Sequence, residues 1–329
     1  MQRNRILAIL AAVGASAIYG LNHTVAKGVM PEYIGAFGLV FMRVAGAAAI
    51  FWILSLFTPK EKIERKDWGR LLLCALTGMV LNMLFFFKGL SLSTPINSSV
   101  IVTLSPVFVL MLSAIILKEK ITKLKSVGIA LGMAGALALV LFSSEAVGSA
   151  PNIPLGNTLF LVNAISFGVY LIVSKPLTAK YSPVTLLKWL FTIAVVINFP
   201  ITISEFSAVE WATLPFDAIW RMLFVVIGVT VLTNLLNIYA LKRLKASTLG
   251  AFMYLQPLIG IVYAVSIGAD TLTTIKLTAG GLVFLGVYLV SKKPKSQKSP
   301  KKVGKRQRLK IALGQRVWVF YFERGCLFL

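Results

Sequence analysis

The sequence predicts an all-α membrane protein, with ten transmembrane helices arranged as two inverted five-helix repeats and both termini on the cytoplasmic side. Three observations carry this. Hydrophobic residues fill 57% of the 329 positions and charged residues 14%, against roughly 25% charged in soluble domains. Mean hydropathy is +0.84. Apolar segments of about the length that spans a bilayer recur along the chain, and short patterns reappear about 150 positions apart. One water-facing core cannot hide this much apolar surface, so the solvent is lipid.

The segments fall, in order, at 6–26, 34–57, 69–88, 96–117, 124–142, 155–174, 185–204, 222–240, 247–268 and 273–291. Short polar or proline-containing stretches part them, among them Pro59-Lys60-Glu61-Lys62, Lys118-Glu119-Lys120 and Pro151-Asn152-Ile153-Pro154. Arg3, Arg5 and the small residues Ala15, Ser16 and Ala17 also fit the outline of a signal peptide. Membership of the first segment in an internal repeat favours a span. Gly128, Gly132 and Gly135 on one helix, and Gly280, Gly281 and Gly286 on another, suit close helix packing in lipid. Two cysteines, Cys74 and Cys326, are too few for a disulfide framework and lack metal-ligand spacing.

A net charge of +23 could signal nucleic acid, but its placement argues otherwise. With the N-terminus inside, the cytoplasmic connections hold Arg3, Arg5, Lys60, Lys62, Arg65, Lys66, Arg70, Lys118, Lys120, Lys123, Lys125, Lys175, Lys180, Lys188, Lys242, Arg243 and Lys245. The outer loop around Glu205, Glu210 and Asp217 is acidic. That bias orients the chain. Most remaining basic residues lie in the tail 292–329, which reads as a disordered cytoplasmic segment attracted to anionic lipid.

The duplication is seen by setting Tyr19–Tyr33 against Phe167–Tyr181. Gly20 then meets Gly168, Lys27 meets Lys175 and Tyr33 meets Tyr181. A second alignment sets Ser105-Pro106 against Gln256-Pro257 and Gly135 against Gly286. Five helices per copy is odd, so the second copy must be inverted, as in many secondary carriers that bind substrate between their halves. With Tyr19-Gly20-Leu21-Asn22, Phe41-Met42-Arg43, Leu104-Ser105-Pro106 and Leu255-Gln256-Pro257 in this order, the chain resembles the EamA-like branch of the drug/metabolite transporter superfamily. The resemblance covers about 6–291. It implies a carrier of small metabolites, commonly an exporter, with repeats at 1–142 and 143–291 around a shared central cavity.

Polar residues inside spans are the candidate site, since each needs a partner or a wet cavity at membrane depth. The expected substrate contacts are Tyr19, Asn22, Arg43, Asn82, Tyr170, Asn234, Asn237, Tyr254 and Gln256. Arg43, the one charge near mid-span, either grips an anionic substrate group or bonds structurally to its neighbours. Each amide could equally tie two helices together. His23 is a candidate gate or a satisfied interface residue. Pro106 and Pro257 are expected helix breaks at corresponding places. The acids all fall in loops, at span ends or in the tail, which leaves no carboxylate relay and favours exchange or facilitated movement.

The expected partners are a small-molecule substrate, the lipid bilayer and a second copy in a homodimer, with no nucleic acid. No cofactor and no metal site are expected. A membrane-embedded transferase would need paired acids, a metal cluster or a positioned nucleophile, and no phosphate-binding loop is present for ATP. A non-transporting sensor or scaffold is the remaining alternative, and substrate-dependent flux separates it from a carrier.

Overall fold

The computed structural model describes residues 2–116, 121–142, 150–241, 244, 252 and 255–291. Among these residues every regular element is helical. Eight helices are long and apolar enough to cross a membrane. They are α1 (Gln2–Lys27), α2 (Ala36–Ser55), α3 (Arg65–Leu92), α4 (Pro95–Ile115), α5 (Lys123–Phe142), α6 (Ile153–Thr178), α7 (Pro183–Ser207) and α8 (Phe216–Asn237). Two shorter apolar helices follow, α9 (Leu255–Ser266) and α10 (Thr274–Ser291). The expected segment 247–268 is thus described as a helix only from Leu255, and the expected tail 292–329 lies outside the described residues. The chain is an integral, multi-pass membrane protein.

Local chemistry sets the helix starts. Thr94, Asn152 and Ser182 each accept a backbone N–H of the following turn, from Asn97, Leu155 and Thr185, and Pro95, Pro154 and Pro183 occupy first-turn positions where a missing N–H costs nothing. Outward positions such as Val196 and Val262 are 69% and 67% exposed. Apolar groups presented to the exterior along whole helices are what a lipid solvent selects. The buried side is packed by Leu39, Leu71, Phe87, Leu104 and Phe160.

The packing follows a simple pattern. Helix α2 runs against α7, and α5 against α10; α1 packs on α8 and α9, and α6 on α3 and α4. In the α5–α10 seam the backbones touch. A Cβ placed on Gly286 would stand 2.5 Å from the Gly132 nitrogen and 2.6 Å from the Gly128 oxygen, and one on Gly135 would stand 2.6 Å from the Ala279 oxygen. The expectation fails for Gly281, while Gly280 is buried outside the seam, where a Cβ would lie 3.7 Å from Val100 on α4. The seam face of α10 carries Ala279, Val283, Gly286 and Val290, and a Cβ on Gly281 would meet nothing within 4 Å.

Two departures from regular α-helix matter for the site. Ala75–Leu81 within α3 and Phe224–Leu232 within α8 are π-helical, a form that appears mostly as local insertions at functional places. Helix α4 is broken as well: Pro95–Val102 ends at a turn, and a new helical stretch starts at Ser105. Pro106 sits in the first turn of that stretch, so the expected break lies just ahead of it. Pro257 is the third residue of α9, and residues 253 and 254 before that helix lie outside the described set.

Helices α2 and α7 cap each other. At one end Glu205, near the end of α7, accepts the N–H groups of Phe37 and Gly38 in the first turn of α2, at 2.7 and 3.1 Å. Gly35 at the N-cap leaves the room, for a Cβ there would lie 2.1 Å from the Glu205 carboxylate. At the other end Glu61, just beyond α2, accepts the N–H of Ser182, the N-cap of α7, at 2.8 Å. Each carboxylate satisfies donors that a helix start leaves open and lies at the positive end of the dipole. Glu205→Ala is expected to destabilise the fold by about 1 kcal/mol, the usual worth of an N-cap, read as a lower melting temperature, while Glu205→Gln keeps part of the effect.

The Ser182 N–H holds the Glu61 carboxyl below the usual carboxylate range. A depressed folded value means the cap is fully present above the ordinary range and is released only as pH falls below it. The hydrogen-exchange protection factor at the start of α7, the observed rate set against the intrinsic rate at the same pH, should therefore be flat from neutral pH down to that range and fall beneath it. Nearby, Lys180 pairs with Asp67 and Glu64, both at 2.6 Å, and Tyr181 donates to Asp67 at 2.7 Å. This network ties the α2–α3 connection to the end of α6.

Candidate functional site

Polar groups from several spans line one cavity of about 160 Å³ between the helices. Helix α1 supplies Tyr19, Asn22 and His23, which lie one turn apart on one face, as the i, i+3, i+4 spacing requires. Helix α2 supplies Arg43, and α3 supplies Gly78, Met79, Asn82, Met83 and Phe86 around its π-helical stretch. Val102 and Ser105 flank the break in α4. From the second half come Asn163, Phe167 and Tyr170 on α6, Leu187 and Phe191 on α7, Val229 and Thr230 on α8, and Gln256 on α9.

Of the residues expected to contact substrate, Tyr19, Asn22, Arg43, Asn82, Tyr170 and Gln256 line this space, with His23 beside them. Asn237 does not; it is half-buried at the far end of α8, seven residues beyond Thr230 and about 10 Å along the axis. Asn234 lies on the same helix, but its side chain is outside what the structure describes, and Tyr254 is outside the described residues altogether. The lining also holds residues outside the expected contact set, namely Thr230, Asn163 and the aromatic wall of Phe86, Phe167 and Phe191. A signal for the Thr230 stretch was present: Gly78 and Gly228 lie 150 positions apart, each inside a π-helical segment.

Several lining groups are already committed. Asn82 and Asn163 exchange bonds across α3 and α6, each side-chain amide donating to the other's carbonyl, at 3.3 and 2.8 Å. These two residues tie helices together and also border the cavity. His23 Nδ1 lies 2.7 Å from Ser98 Oγ, and its ring meets Phe86 edge-on at 5.4 Å. This joins α1 to α4. The ring of Tyr170 fills the space a side chain at Gly78 would need, since a Cβ there would stand 2.4 Å from it.

Arg43 is different. Its Nε–H donates to Thr230 Oγ1 at 3.3 Å and its guanidinium lies 5.8 Å from the centre of the Phe87 ring. Among the described residues no carboxylate comes within ion-pair distance of it. The acids are engaged elsewhere: Asp270 with Lys276, Asp217 with Arg221, and Asp67 and Glu64 with Lys180. Asn22 is 4% exposed, and its Oδ1 has no hydrogen-bond donor. A buried acceptor without a donor forfeits the bonds it had in water.

The model of the EamA-like transporter family matches the chain twice, over residues 6–141 and 154–292. The chain belongs to this family. It is a membrane transporter. An uncharacterized transporter of Archaeoglobus fulgidus is 26% identical over 275 residues, covering 84% of this chain and 95% of the relative. A protein of Streptantibioticus cattleyicolor named "Probable terminal-alkyne amino-acid exporter" is 23% identical over 262 residues, covering 79% and 85%. A solved crystal structure superposes with a TM-score of 0.54 at 18% identity, covering 86% of this EamA-like chain and 96% of the other. At that identity the likeness concerns the fold.

Proposed function

We propose that the chain is a ten-helix carrier of two inverted five-helix repeats, 1–142 and 143–291, that exports or exchanges small polar metabolites by alternating access. One observation carries this: the cavity draws its wall from both halves, and within it the two halves contribute matching features. The α3 and α8 walls are both π-helical, and the helix pairs α1–α8 and α1–α9 answer to α6–α3 and α6–α4 when each helix is exchanged for the one five places along. Helices α2 and α7, and α5 and α10, pack on their own counterparts. The mutual capping of α2 and α7 has the same two-fold character. The two family matches fall on the two halves.

In this reading the site is formed by Tyr19, Asn22, Arg43, Asn82, Tyr170 and Gln256, with Asn234 and Tyr254 as further candidates on α8 and the segment before α9. His23, bonded to Ser98, couples the cavity wall of α1 to α4 and is the gating candidate. The membrane is the cytoplasmic one and both termini are cytoplasmic, following the distribution of Lys and Arg. The exporter named among the relatives makes amino acids and their derivatives the first substrates to try.

Thiol labelling tests the mechanism. In a variant lacking Cys74 and Cys326 and carrying Ser105→Cys, an impermeant maleimide should reach the cavity from either face of inside-out and right-side-out vesicles. A transported solute placed on one side should shift the balance of labelling between the faces. Labelling from one face only, under every solute condition, would refute alternating access. A reporter fused after residue 291 that is active only outside the cell would refute the orientation.

A further inference from the structure

Within the carrier reading, on which this inference rests, the cavity also limits the charge of what it holds. Three observations bear on this. Among the described residues Arg43 is the one charged side chain in the lining when the histidine is neutral, and no Asp or Glu joins it. Its guanidinium spends one N–H on Thr230 and, among the described residues, pairs with no carboxylate. Asn22 Oδ1, in the same lining and almost wholly buried, is an acceptor that lacks a donor. The rest of the wall is mainly apolar and aromatic, with Met79, Met83, Phe86, Phe167 and Phe191 prominent.

A cation held seven residues inside α2, about 10 Å along its axis, costs roughly 2.5–3.5 kcal/mol on insertion scales when nothing balances it. A guanidinium has a fork of donors matched to a carboxylate, and such pairs are strong where water is excluded. An acceptor such as Asn22 Oδ1 asks for a hydroxyl or N–H from the same molecule. A second positive charge would stand in the low-dielectric space beside Arg43 with only neutral acceptors to meet it. The volume of about 160 Å³ is close to that of an apolar cavity that takes a benzene ring.

From this geometry we infer that the cavity selects a small organic anion: one carboxylate for Arg43, one neutral hydrogen-bond donor for Asn22 Oδ1, and an apolar body about the size of a single ring. Amines without a carboxylate are disfavoured, and amino acids bind less well than the corresponding hydroxy acids.

Four probes that share one phenyl ring separate the contributions: mandelate, phenylacetate, phenylglycine and benzylamine. Calorimetric titration of the full-length purified protein should rank mandelate first. Phenylacetate, which lacks the hydroxyl, and phenylglycine, which adds an ammonium, should each be weaker by about tenfold, and benzylamine should not bind. Arg43→Gln should weaken mandelate by more than tenfold while Arg43→Lys keeps part of the affinity. The ranking on the unmodified protein tests the inference even where a variant fails to fold. Benzylamine or phenylglycine binding as well as mandelate would overturn it, as would an unchanged affinity in folded Arg43→Gln or no binding of mandelate up to about 10 mM. Solute flux that persists while mandelate fails would remove the substrate class and leave the carrier.

Discussion

Gly286→Leu is expected to abolish accumulation of the folded transporter. The α5–α10 seam brings backbone against backbone, and the first side-chain carbon at position 286 would already stand 2.5 Å from the Gly132 nitrogen. No rotamer relieves that contact, because the obstruction is main chain. Two helices would have to separate along their common face and surrender the dispersion contacts that hold helices together in lipid. Overpacking in a tight core typically costs 1–3 kcal/mol, and a leucine here exceeds it. Gly281→Leu on the same helix is the control, since a Cβ there meets nothing. Membrane abundance and detergent melting profiles should show the first variant lost or strongly destabilised and the second near the parent.

The second large effect is functional. Ser105→Trp places an indole at the break in α4, where a half-buried serine borders the cavity and donates to the Val102 carbonyl. The ring has open space to enter, unlike the glycine seam. Flux should fall to background while abundance and melting temperature stay close to the parent. A variant that transports normally would mean that solute takes another route.

How much of this could be read from the sequence follows from which physical signal each feature leaves. Lipid-facing helices leave a strong one, and the expected spans meet the eight membrane-length helices within a few residues of their ends, except that α8 starts at Phe216 where 222 is expected. The polar set Tyr19, Asn22 and His23 was legible because α1 keeps its 3.6 period and those residues share a face. Arg43 stood out as a charge at membrane depth. On α8 the period fails. The π-helical stretch Phe224–Leu232 puts Val229 and Thr230 on the cavity, whereas a reading by regular helix favoured the amides further along and included Asn237, which the cavity does not reach.

The aromatic wall was hidden for another reason. In a chain this apolar, a phenylalanine facing a cavity and one facing lipid look the same. The tie between Asn82 and Asn163 shows the converse, an interhelical bond and a lining position held by one residue. The reciprocal caps of Glu205 and Glu61 left acids at span ends in the sequence. Their partners were not legible there, since each helix start they satisfy is more than a hundred residues away.

The central claim is that solute crosses through the cavity shared by the two halves. The most direct measurement is uptake of a mixed pool of labelled metabolites by liposomes holding the purified chain, set beside protein-free liposomes and liposomes holding Ser105→Trp. The account predicts uptake of at least one small solute by the parent chain alone. Uptake of none, or equal uptake by the plugged variant, would contradict it.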